Sequence, residues 1–207
     1  MKVILINGSP HKAGTTYTAL TEAAKQLEQE GIEAEIIQIG SKAIRGCSGC
    51  LACRKLGKCV LDDEVNEVAE KFKAADGIII GSPVYYASPN GTLISFLDRL
   101  FYSSSFDKTG KVGAAVVCAR RGGCTASFDV LNKYLTISGM PLATSTYWNQ
   151  VHGANGEDAL LDLEGMQTMR NLARNMAFLI KSIALGKEKY GMPELERGAR
   201  TNFIKKN

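Results

Sequence analysis

Four cysteines stand close together in one short segment, and their spacing is suited to chemistry. Three follow at intervals of three residues and the fourth comes six residues later: Cys47, Cys50, Cys53 and Cys59. Thiolates at this spacing can converge on one cluster from a single loop, as the cysteine runs of bacterial ferredoxins do. Gly46, Gly49 and Gly57 give the segment the backbone freedom that such a wrap requires. The spacing therefore predicts a [4Fe-4S] centre.

Other interpretations of the cysteine segment stay open at this point. Structural zinc usually takes two separated C-x-x-C pairs, so the compact triplet favours an iron–sulfur cluster over zinc. A redox-active disulfide, or a loop whose cysteines bind nothing, is also compatible with the spacing.

Length and composition are those of one globular domain. The chain has 207 residues, of which 45% are hydrophobic and 22% charged, and this is enough for a sizeable core. The formal net charge is only +4, and the basic residues are scattered along the chain. Neither nucleic acid nor a membrane is therefore expected as a partner.

The N-terminal residues favour a cytoplasmic location. Met1 leads directly into the apolar run Val3 to Ile6, without the regions of a secretory signal. No apolar stretch approaches the length that spans a bilayer. Cytoplasmic cysteines are expected to be reduced or metal-bound. Of the two outside the segment, Cys118 is expected to be an inert core residue, whereas Cys124 is left unassigned.

The elements that must position these residues alternate apolar runs with helical patterns, which predicts a parallel sheet covered on both faces. Five strands are expected, the second of them near a sheet edge: Val3 to Ile6, Ile32 to Ile39, Gly77 to Ile80, Val112 to Cys118 and Leu142 to Tyr147. Helical spacing marks residues 20–27, 65–72, 93–100, 126–137 and 163–183.

The last helix carries a stripe of methionines, for which we expect core packing and not cofactor contact. Beyond Gly186 the chain is basic and has few apolar residues: Lys187, Lys189, Arg197, Arg200, Lys205 and Lys206. Residues 186–207 are therefore expected to form a surface arm or a partly disordered tail, with an oligomer contact as the alternative.

Ligands of such a sheet bind beyond the carboxyl ends of its strands, and the first loop there has the composition of a phosphate cradle. Asn7 to Thr16 brings small and hydroxylated residues to a helix N-terminus. Neither G-x-G-x-x-G nor a Walker lysine pattern is present, so a monophosphate is the better ligand. The alternative is an ordinary turn with Thr15 or Thr16 as the helix N-cap.

Two further loops leave the same edge. Ser82 to Asn90 offers backbone groups and aromatic rings that could flank a flat heterocycle. Ala119 to Cys124 offers glycine backbone, and Arg120 and Arg121 could donate to carbonyl oxygens of the same ring. Taken alone, the former is a loop with two prolines and the latter a solvated basic turn.

In their order along the chain, these motifs resemble the NADPH-dependent FMN reductase family of flavodoxin-like proteins. They are Asn7-Gly8-Ser9-Pro10 with Thr15-Thr16, Gly81-Ser82-Pro83-Val84-Tyr85 with Phe96-Leu97-Asp98-Arg99, and the glycine loop after the fourth strand. The cysteine segment followed by Asp62-Asp63 is similar to the iron–sulfur flavoproteins. The resemblance implies an α/β, flavodoxin-like doubly wound sheet of five parallel strands in the order 2-1-3-4-5, spanning residues 1–185 with a cysteine-rich loop at 46–60.

The resemblance also implies which residues bind FMN. Its phosphate would be held by Ser9, His11, Thr15 and Thr16. The family often has arginine where this chain has His11, so Lys12 is expected to share the role. The isoalloxazine would contact Pro83, Val84, Tyr85 and Tyr86, with Ala119, Arg120, Gly122 and Gly123 on its other side. Asp98 and Arg99 are expected to be a structural helix pair and not catalysts.

By this resemblance the chain is expected to be a flavin-dependent oxidoreductase in which FMN itself is the reacting group. NAD(P)H is a candidate donor, and a small molecule or a redox protein such as ferredoxin is the expected acceptor. The cysteine loop leaves the carboxyl end of the second strand, so a [4Fe-4S] cluster is expected to exchange electrons with FMN within a subunit or across an oligomer contact. A homodimer or homotetramer is implied.

Two alternatives remain open for the function. One is a simple NAD(P)H-dependent reductase of flavins or quinones whose cysteines bind zinc or nothing. The other is a non-enzymatic carrier that binds FMN and passes electrons only to protein partners.

Overall fold

Strands and helices alternate along the part of the chain that the computed structural model describes, which is residues 1–196, 198–199, 201 and 203. The strands are β1 (Lys2–Asn7), β2 (Glu33–Gln38), β3 (Gly77–Tyr85), β4 (Ser88–Pro89), β5 (Val112–Ala119) and β6 (Gln150–His152). The helices are α1 (Thr15–Gln29), α2 (Cys53–Leu56), α3 (Glu64–Ala74), α4 (Gly91–Ser103), α5 (Cys124–Ile137), α6 (Gly156–Leu161) and α7 (Leu163–Tyr190).

Five of the strands form one parallel sheet in the order β2-β1-β3-β5-β6, while the short β4 pairs antiparallel with the end of β3. When the five parallel strands are numbered one to five along the chain, leaving out β4, this is the predicted order 2-1-3-4-5. β2 lies at one edge of the sheet, as predicted. The α/β, flavodoxin-like fold class is therefore confirmed.

The pleat of the strands divides the core between the two faces of the sheet. On β1, Val3 and Leu5 pack with α1 and α7, whereas Ile4 and Ile6 pack with α3, α4 and α5. The methionine stripe of α7 lies in the first of these layers: Met166, Met169 and Met176 are all buried. The prediction that these methionines pack in the core is confirmed.

The fifth parallel strand lies later in the chain than predicted. Leu142 makes only an isolated bridge to Gly113, and the predicted strand Leu142 to Tyr147 is wrong. β5 instead pairs with Gln150–His152. Between the predicted and the observed strand, the Asn149 side chain donates to the Ala115 carbonyl (3.1 Å). A side-chain hydrogen bond thus stands where a main-chain hydrogen bond would join two strands.

The segment after β3 and the end of α7 also differ from the prediction. β3 continues to Tyr85 and turns back through β4, so part of the loop predicted from Ser82 is a hairpin. α7 passes through Gly186 and ends at Tyr190, because glycine is tolerated within a helix and lysines in the last turn suit its dipole. The basic residues Arg197, Arg200, Lys205 and Lys206 lie outside the described residues.

None of the helices among the described residues is both long enough and apolar enough to cross a bilayer.

The carboxyl edge of the sheet is closed by backbone packing against backbone. The Gly8 N–H donates to the Gly81 carbonyl (2.8 Å), and the Gly40 N–H donates to the Asn7 carbonyl (3.0 Å). A Cβ atom on Gly40 would lie 2.2 Å from the Gly8 carbonyl oxygen, and one on Gly8 would lie 2.7 Å from the Gly81 oxygen. Only glycine permits this approach, so the loops after β1 and β2 are held in contact.

Gly40→Ala should therefore lower the free energy of unfolding by about 1–3 kcal/mol or more, because the new methyl group meets backbone that cannot move aside. Gly186→Ala is the matched control, since its Cβ would meet no atom within 4 Å and alanine is favoured within a helix by roughly 0.5–1 kcal/mol. Urea unfolding of both variants measures the difference. Equal stability of the two would contradict the close packing at Gly40.

Candidate functional site

A pocket of about 860 Å³ opens at the carboxyl edge of the sheet. The helix that follows β1 (α1) and the helix that precedes β3 (α3) pack on opposite faces of the sheet, and doubly wound folds bind ligands at the point where this switch occurs. The volume is in the range of cofactor sites, about 300–1,000 Å³. The pocket is lined by Ser9, Pro10, His11, Lys12, Ala13, Gly14, Thr15, Thr16, Pro83, Val84, Tyr85, Cys118, Ala119, Arg120, Gly153, Ala154 and Asn155. It gathers most of the residues predicted to hold FMN.

The N-terminus of α1 forms one wall of this pocket. The N-cap is Gly14, so the alternative in which Thr15 or Thr16 caps the helix is wrong. Glycine has no side chain to accept from the first-turn N–H groups, which leaves these donors for an anion. Ser9 is buried, and its Oγ accepts from the His11 N–H (3.1 Å), so its own hydroxyl hydrogen is left to donate.

Three amides fix the loop between β1 and α1 to its neighbours. Asn7 donates to Gln38 Oε1 (2.6 Å) and accepts from the Ser9 N–H (3.1 Å). Gln38 in turn donates to the Ser9 carbonyl (2.6 Å), and Asn90 donates to the Gly8 carbonyl (2.7 Å). Sequence reasoning missed Gln38 and Asn90 in this role because their partners lie far away along the chain.

The segment 153–155 is the part of the lining that the sequence did not indicate. Thr15 Oγ1 lies 3.1 Å from the Gly153 carbonyl oxygen and 2.9 Å from that of Asn155, so its hydroxyl ties this segment to α1. Asn155 also caps α6 by accepting from the Asp158 N–H (2.8 Å). The signal that could have indicated this segment is a run of small residues before a capped helix. Because the fifth strand was predicted at Leu142 to Tyr147, the loop at the end of that strand was not expected at 153–155.

Cys118 lines the floor of the pocket as a neutral thiol. It is buried and hydrogen-bonded to Thr16, and burial raises the pKa of its thiol to about 12. This agrees with the expected core position. Cys124, the first residue of α5, is also buried, and burial raises its pKa as well.

A strained hairpin carries the opposite wall of the pocket. Tyr86 and Ala87 have φ values of 51° and 57°, as in a type I′ turn, which residues with side chains adopt at a cost. Pro83, Val84 and Tyr85 precede this turn and line the pocket. Tyr86 is fully exposed and lies outside the lining.

Gly123 supports this hairpin from the side. Its φ is +97°, and a Cβ there would lie 2.9 Å from both Ala87 Cα and Val84 Cγ1. Ala119 and Arg120 line the pocket, whereas Gly122 and Gly123 lie outside the lining. Gly123 therefore affects the pocket indirectly, because it allows the hairpin to pack closely against it.

The four cysteines of the 46–60 loop line one separate cavity. Its walls are Cys47, Ser48, Cys50, Leu51, Cys53, Cys59, Val60, Leu61, Arg99, Tyr102 and Ser103. All four cysteines are free thiols. The predicted metal ligands are thus brought to one cavity, which lies beside the second half of α4.

Arg99 anchors this loop from α4. Its side chain is only 1% exposed and forms a two-pronged ion pair with Asp63, in which Nη2 lies 2.8 Å from Oδ1. Its Nε and Nη2 lie 3.3 and 3.2 Å from the Cys59 Sγ. Asp98 instead accepts from the Tyr134 hydroxyl. The expectation that Asp98 and Arg99 act as a structural helix pair is therefore wrong, since each binds elsewhere.

Among the described residues, no three His, Cys, Asp or Glu side chains are arranged to hold one metal ion. Nor do the two cavities share a lining residue within the described ranges. Arg99 lies about 12 Å along the helix axis from Gly91, at roughly 1.5 Å per residue. The cysteine cavity therefore lies along the flank of the sheet, away from the carboxyl-edge pocket.

A model of the NADPH-dependent FMN reductase family matches residues 1–154. The chain belongs to this family. The resemblance drawn from the loop motifs is thereby confirmed, and the family member is a flavin-dependent oxidoreductase with an FMN-binding, flavodoxin-like domain.

Relatives extend the match over nearly the whole chain. An iron-sulfur flavoprotein of Methanocaldococcus jannaschii is 36% identical over 191 residues, covering 88% of this chain and 99% of the relative. Another, of Methanosarcina thermophila, is 30% identical over 193 residues, covering 91% and 100%. The FMN reductase family member therefore falls among iron–sulfur flavoprotein-like sequences.

Solved structures show the same fold. RosB with bound 8-demethyl-8-formylriboflavin-5'-phosphate superposes with a TM-score of 0.69 at 15% identity, covering 100% of this chain and 95% of RosB. A flavodoxin from the domain Archaea superposes with a TM-score of 0.59 at 16% identity, covering 87% of this chain and 99% of the flavodoxin. These similarities support the flavodoxin-like fold of the family member.

In this FMN reductase family member, Gly123→Ala should raise the dissociation constant for FMN by about tenfold, or ~1.4 kcal/mol, because the methyl group displaces the hairpin that lines the pocket. Quenching of FMN fluorescence on titration into the apoprotein measures the affinity. Gly91→Ala is the control, since its Cβ would meet no atom within 4 Å. Unchanged affinity in Gly123→Ala would show that the hairpin position does not matter for FMN.

Proposed function

We propose that the chain is an NAD(P)H-dependent oxidoreductase whose FMN binds in the carboxyl-edge pocket and whose cysteine loop holds a [4Fe-4S] cluster. The observation that carries the flavin site is the glycine-capped N-terminus of α1, which opens into a cofactor-sized pocket. When bound, FMN accepts a hydride or electrons and passes them on, and a cluster supplies single electrons.

The phosphate end of the pocket supplies donors without a large fixed charge. The backbone N–H groups at the start of α1 and the Ser9 hydroxyl bind the phosphate oxygens, and the helix dipole favours the negative charge. His11 and Lys12 are exposed at the rim. There they add positive charge that solvent and salt weaken.

The ring end of the pocket combines an apolar wall with one cation. Pro83 and Val84 line the pocket, where they would contact a flat ring and exclude water from it. Arg120 is exposed on the other side, where its guanidinium can donate to ring carbonyl oxygens. Because Tyr85 and Arg120 remain exposed, a nicotinamide or a quinone can approach the ring from solvent.

The cysteine cavity offers the number of thiol ligands that a four-iron cluster requires. Each iron of a four-iron cubane takes one cysteine, and four cysteines line this cavity. Ser103 lines the same cavity, and its Oγ is buried without a hydrogen-bond partner among the described residues, as expected for a cavity that receives a polar group. The iron–sulfur names of the relatives also support this assignment.

The separation of the two cavities bears on the assembly. Electron exchange between them has to cross the length of α4 or a contact between subunits. This favours the homodimer or homotetramer expected from the family, with a small-molecule acceptor or a redox protein as partner.

The purified protein with FMN should oxidise NADPH under anaerobic conditions when a quinone is added, as followed at the absorption band of NADPH. Arg120→Ala should lower kcat/KM by about tenfold, equivalent to ~1.4 kcal/mol, since it removes a charge-assisted donor to the ring. Arg121→Ala, whose side chain lies outside the pocket lining, is the matched control. Reducible FMN without any turnover would instead favour the electron carrier.

Protein made and purified without oxygen should contain about four irons per chain and show the brown absorption of a cluster. Cys50→Ser should lose both and still bind FMN, because Cys50 lies in the cysteine cavity and not in the flavin pocket. Cys124→Ser should keep the iron. Iron near zero in the wild-type protein would reject the cluster, and zinc in its place would support the simple reductase.

A further inference from the structure

Two polar side chains of α4 face the cysteine cavity from positions one helical turn apart. Arg99 and Ser103 are separated by four residues, so both lie on the same face of the helix. Both line the cavity together with the four cysteines. Both residues are almost wholly buried, with relative exposures of 2% and 5% for the whole residue. α4 therefore presents two hydrogen-bond donors to the place where the thiols gather.

Arg99 already donates to a sulfur atom. Two of its N–H groups point at the Cys59 Sγ, at 3.3 and 3.2 Å. The same guanidinium lies 3.2 Å from the Arg45 carbonyl oxygen and 3.5 Å from that of Leu61, on either side of the cysteine run. Its charge is balanced by Asp63. Arg99 thus holds both ends of the loop and one of its thiols.

Ser103 has a donor but lacks a partner. Its Oγ is buried, and among the described residues no atom hydrogen-bonds to it. The neighbouring Ser104 hydroxyl donates to the Leu100 carbonyl, one turn back along the helix. Ser103 does not make the corresponding bond, although it is one of the residues that line the cysteine cavity. A buried hydroxyl without a partner is costly, which indicates that an acceptor enters this cavity.

We propose that Arg99 and Ser103 are hydrogen-bond donors to the sulfur atoms of the cluster, and that they raise its reduction potential. This rests on the proposed [4Fe-4S] centre. Arg99 donates to the Cys59 thiolate, and Ser103 donates to a second sulfur, either a cysteine thiolate or a bridging sulfide. One-electron reduction adds one negative charge to the cluster and its ligands. Donors to sulfur stabilise the more negative state, so they favour the reduced form.

The two residues differ in what their removal changes. Arg99 is a positioning residue as well as a donor, because it also binds the loop backbone at Arg45 and Leu61. Its loss therefore disturbs cluster assembly together with the potential. The Ser103 Oγ makes no hydrogen bond to the described residues, so Ser103→Ala should remove a donor without breaking an existing side-chain bond.

Ser103→Ala and the full-length wild type are compared after anaerobic preparation. Iron content is measured first, and the cluster is then titrated with dithionite at controlled potentials. The reduced cluster is followed by electron paramagnetic resonance, so that flavin absorption does not interfere. We expect full iron content in Ser103→Ala and a reduction equilibrium about tenfold less favourable, equivalent to a potential lower by ~59 mV for one electron.

Ser104→Ala is the matched control, since it removes a hydroxyl from the adjacent position whose bond goes to backbone. Its potential should equal that of the wild type. Arg99→Lys keeps the positive charge but loses the planar guanidinium that donates to several acceptors at once. It should lower the iron content and the reduction potential of the cluster that remains. If Arg99→Lys does not fold, the two serine variants decide the question alone.

The outcomes separate this inference from the proposed function. A full cluster whose potential is the same in Ser103→Ala and the wild type overturns the inference and leaves the cluster assignment in place. Equal shifts in Ser103→Ala and Ser104→Ala also overturn it, because they indicate a general disturbance of α4. Wild-type protein without iron rejects the cluster itself, and the inference falls with it.

Discussion

The contact between backbone and backbone at the carboxyl edge of the sheet is the constraint on which the carboxyl-edge pocket depends. Gly8 approaches Gly81 on one side and Gly40 on the other, so closely that a side chain on Gly8 or Gly40 would overlap main-chain atoms. The loops after β1 and β2 are therefore packed against each other and, through Gly8, against β3. Because these segments are already packed, the start of α1 can face a pocket without collapsing onto it. Asn7, Gln38 and Asn90 then fix the loop after β1 by hydrogen bonds and not by apolar burial.

The cysteine loop is held by a different kind of interaction. Residues 46–60 contain one short helix and few buried side chains, so apolar packing contributes little to their position. Their ordering comes from polar side chains of neighbouring helices. Asn66 of α3 pairs with the backbone of Cys59 in both directions, at 2.9 and 3.0 Å, and Arg99 of α4 binds on either side of the cysteine run. A buried guanidinium needs such partners, because an unpaired charge in this environment is very costly. The charge that Arg99 brings into the core is thus the reason that the loop has a defined place.

The sequence predicted the features that depend on residues close together along the chain, and it missed those that depend on residues far apart. The first four parallel strands and the five longer helices follow from periodicity, which reports the burial of nearby residues, whereas the short helices α2 and α6 were not predicted. The gathering of the four cysteines follows from a local spacing. The fifth strand was misplaced because Leu142 to Tyr147 has the composition of a strand, while Asn149 occupies the ladder there through its side chain. Because this strand was misplaced, the segment 153–155 was not predicted to line the pocket. Arg99 was assigned to its neighbour Asp98 because adjacent opposite charges suggest a pair, whereas its partner Asp63 lies 36 residues away in sequence. Contacts of that range leave no periodic or local signal.

α4 connects the two cavities, although no described residue lines both. Asn90, its N-cap, accepts from the Thr92 N–H (2.9 Å) and donates to the Gly8 carbonyl of the loop after β1 (2.7 Å). Arg99 and Ser103, roughly two and a half and three and a half turns further on, line the cysteine cavity. Leu93, Phe96, Leu97 and Leu100 bury the side of this helix that faces the sheet, so the helix cannot shift without disturbing the core. A packed helix whose start contacts the loop after β1 and whose last turns line the cysteine cavity fixes the distance between the two cavities.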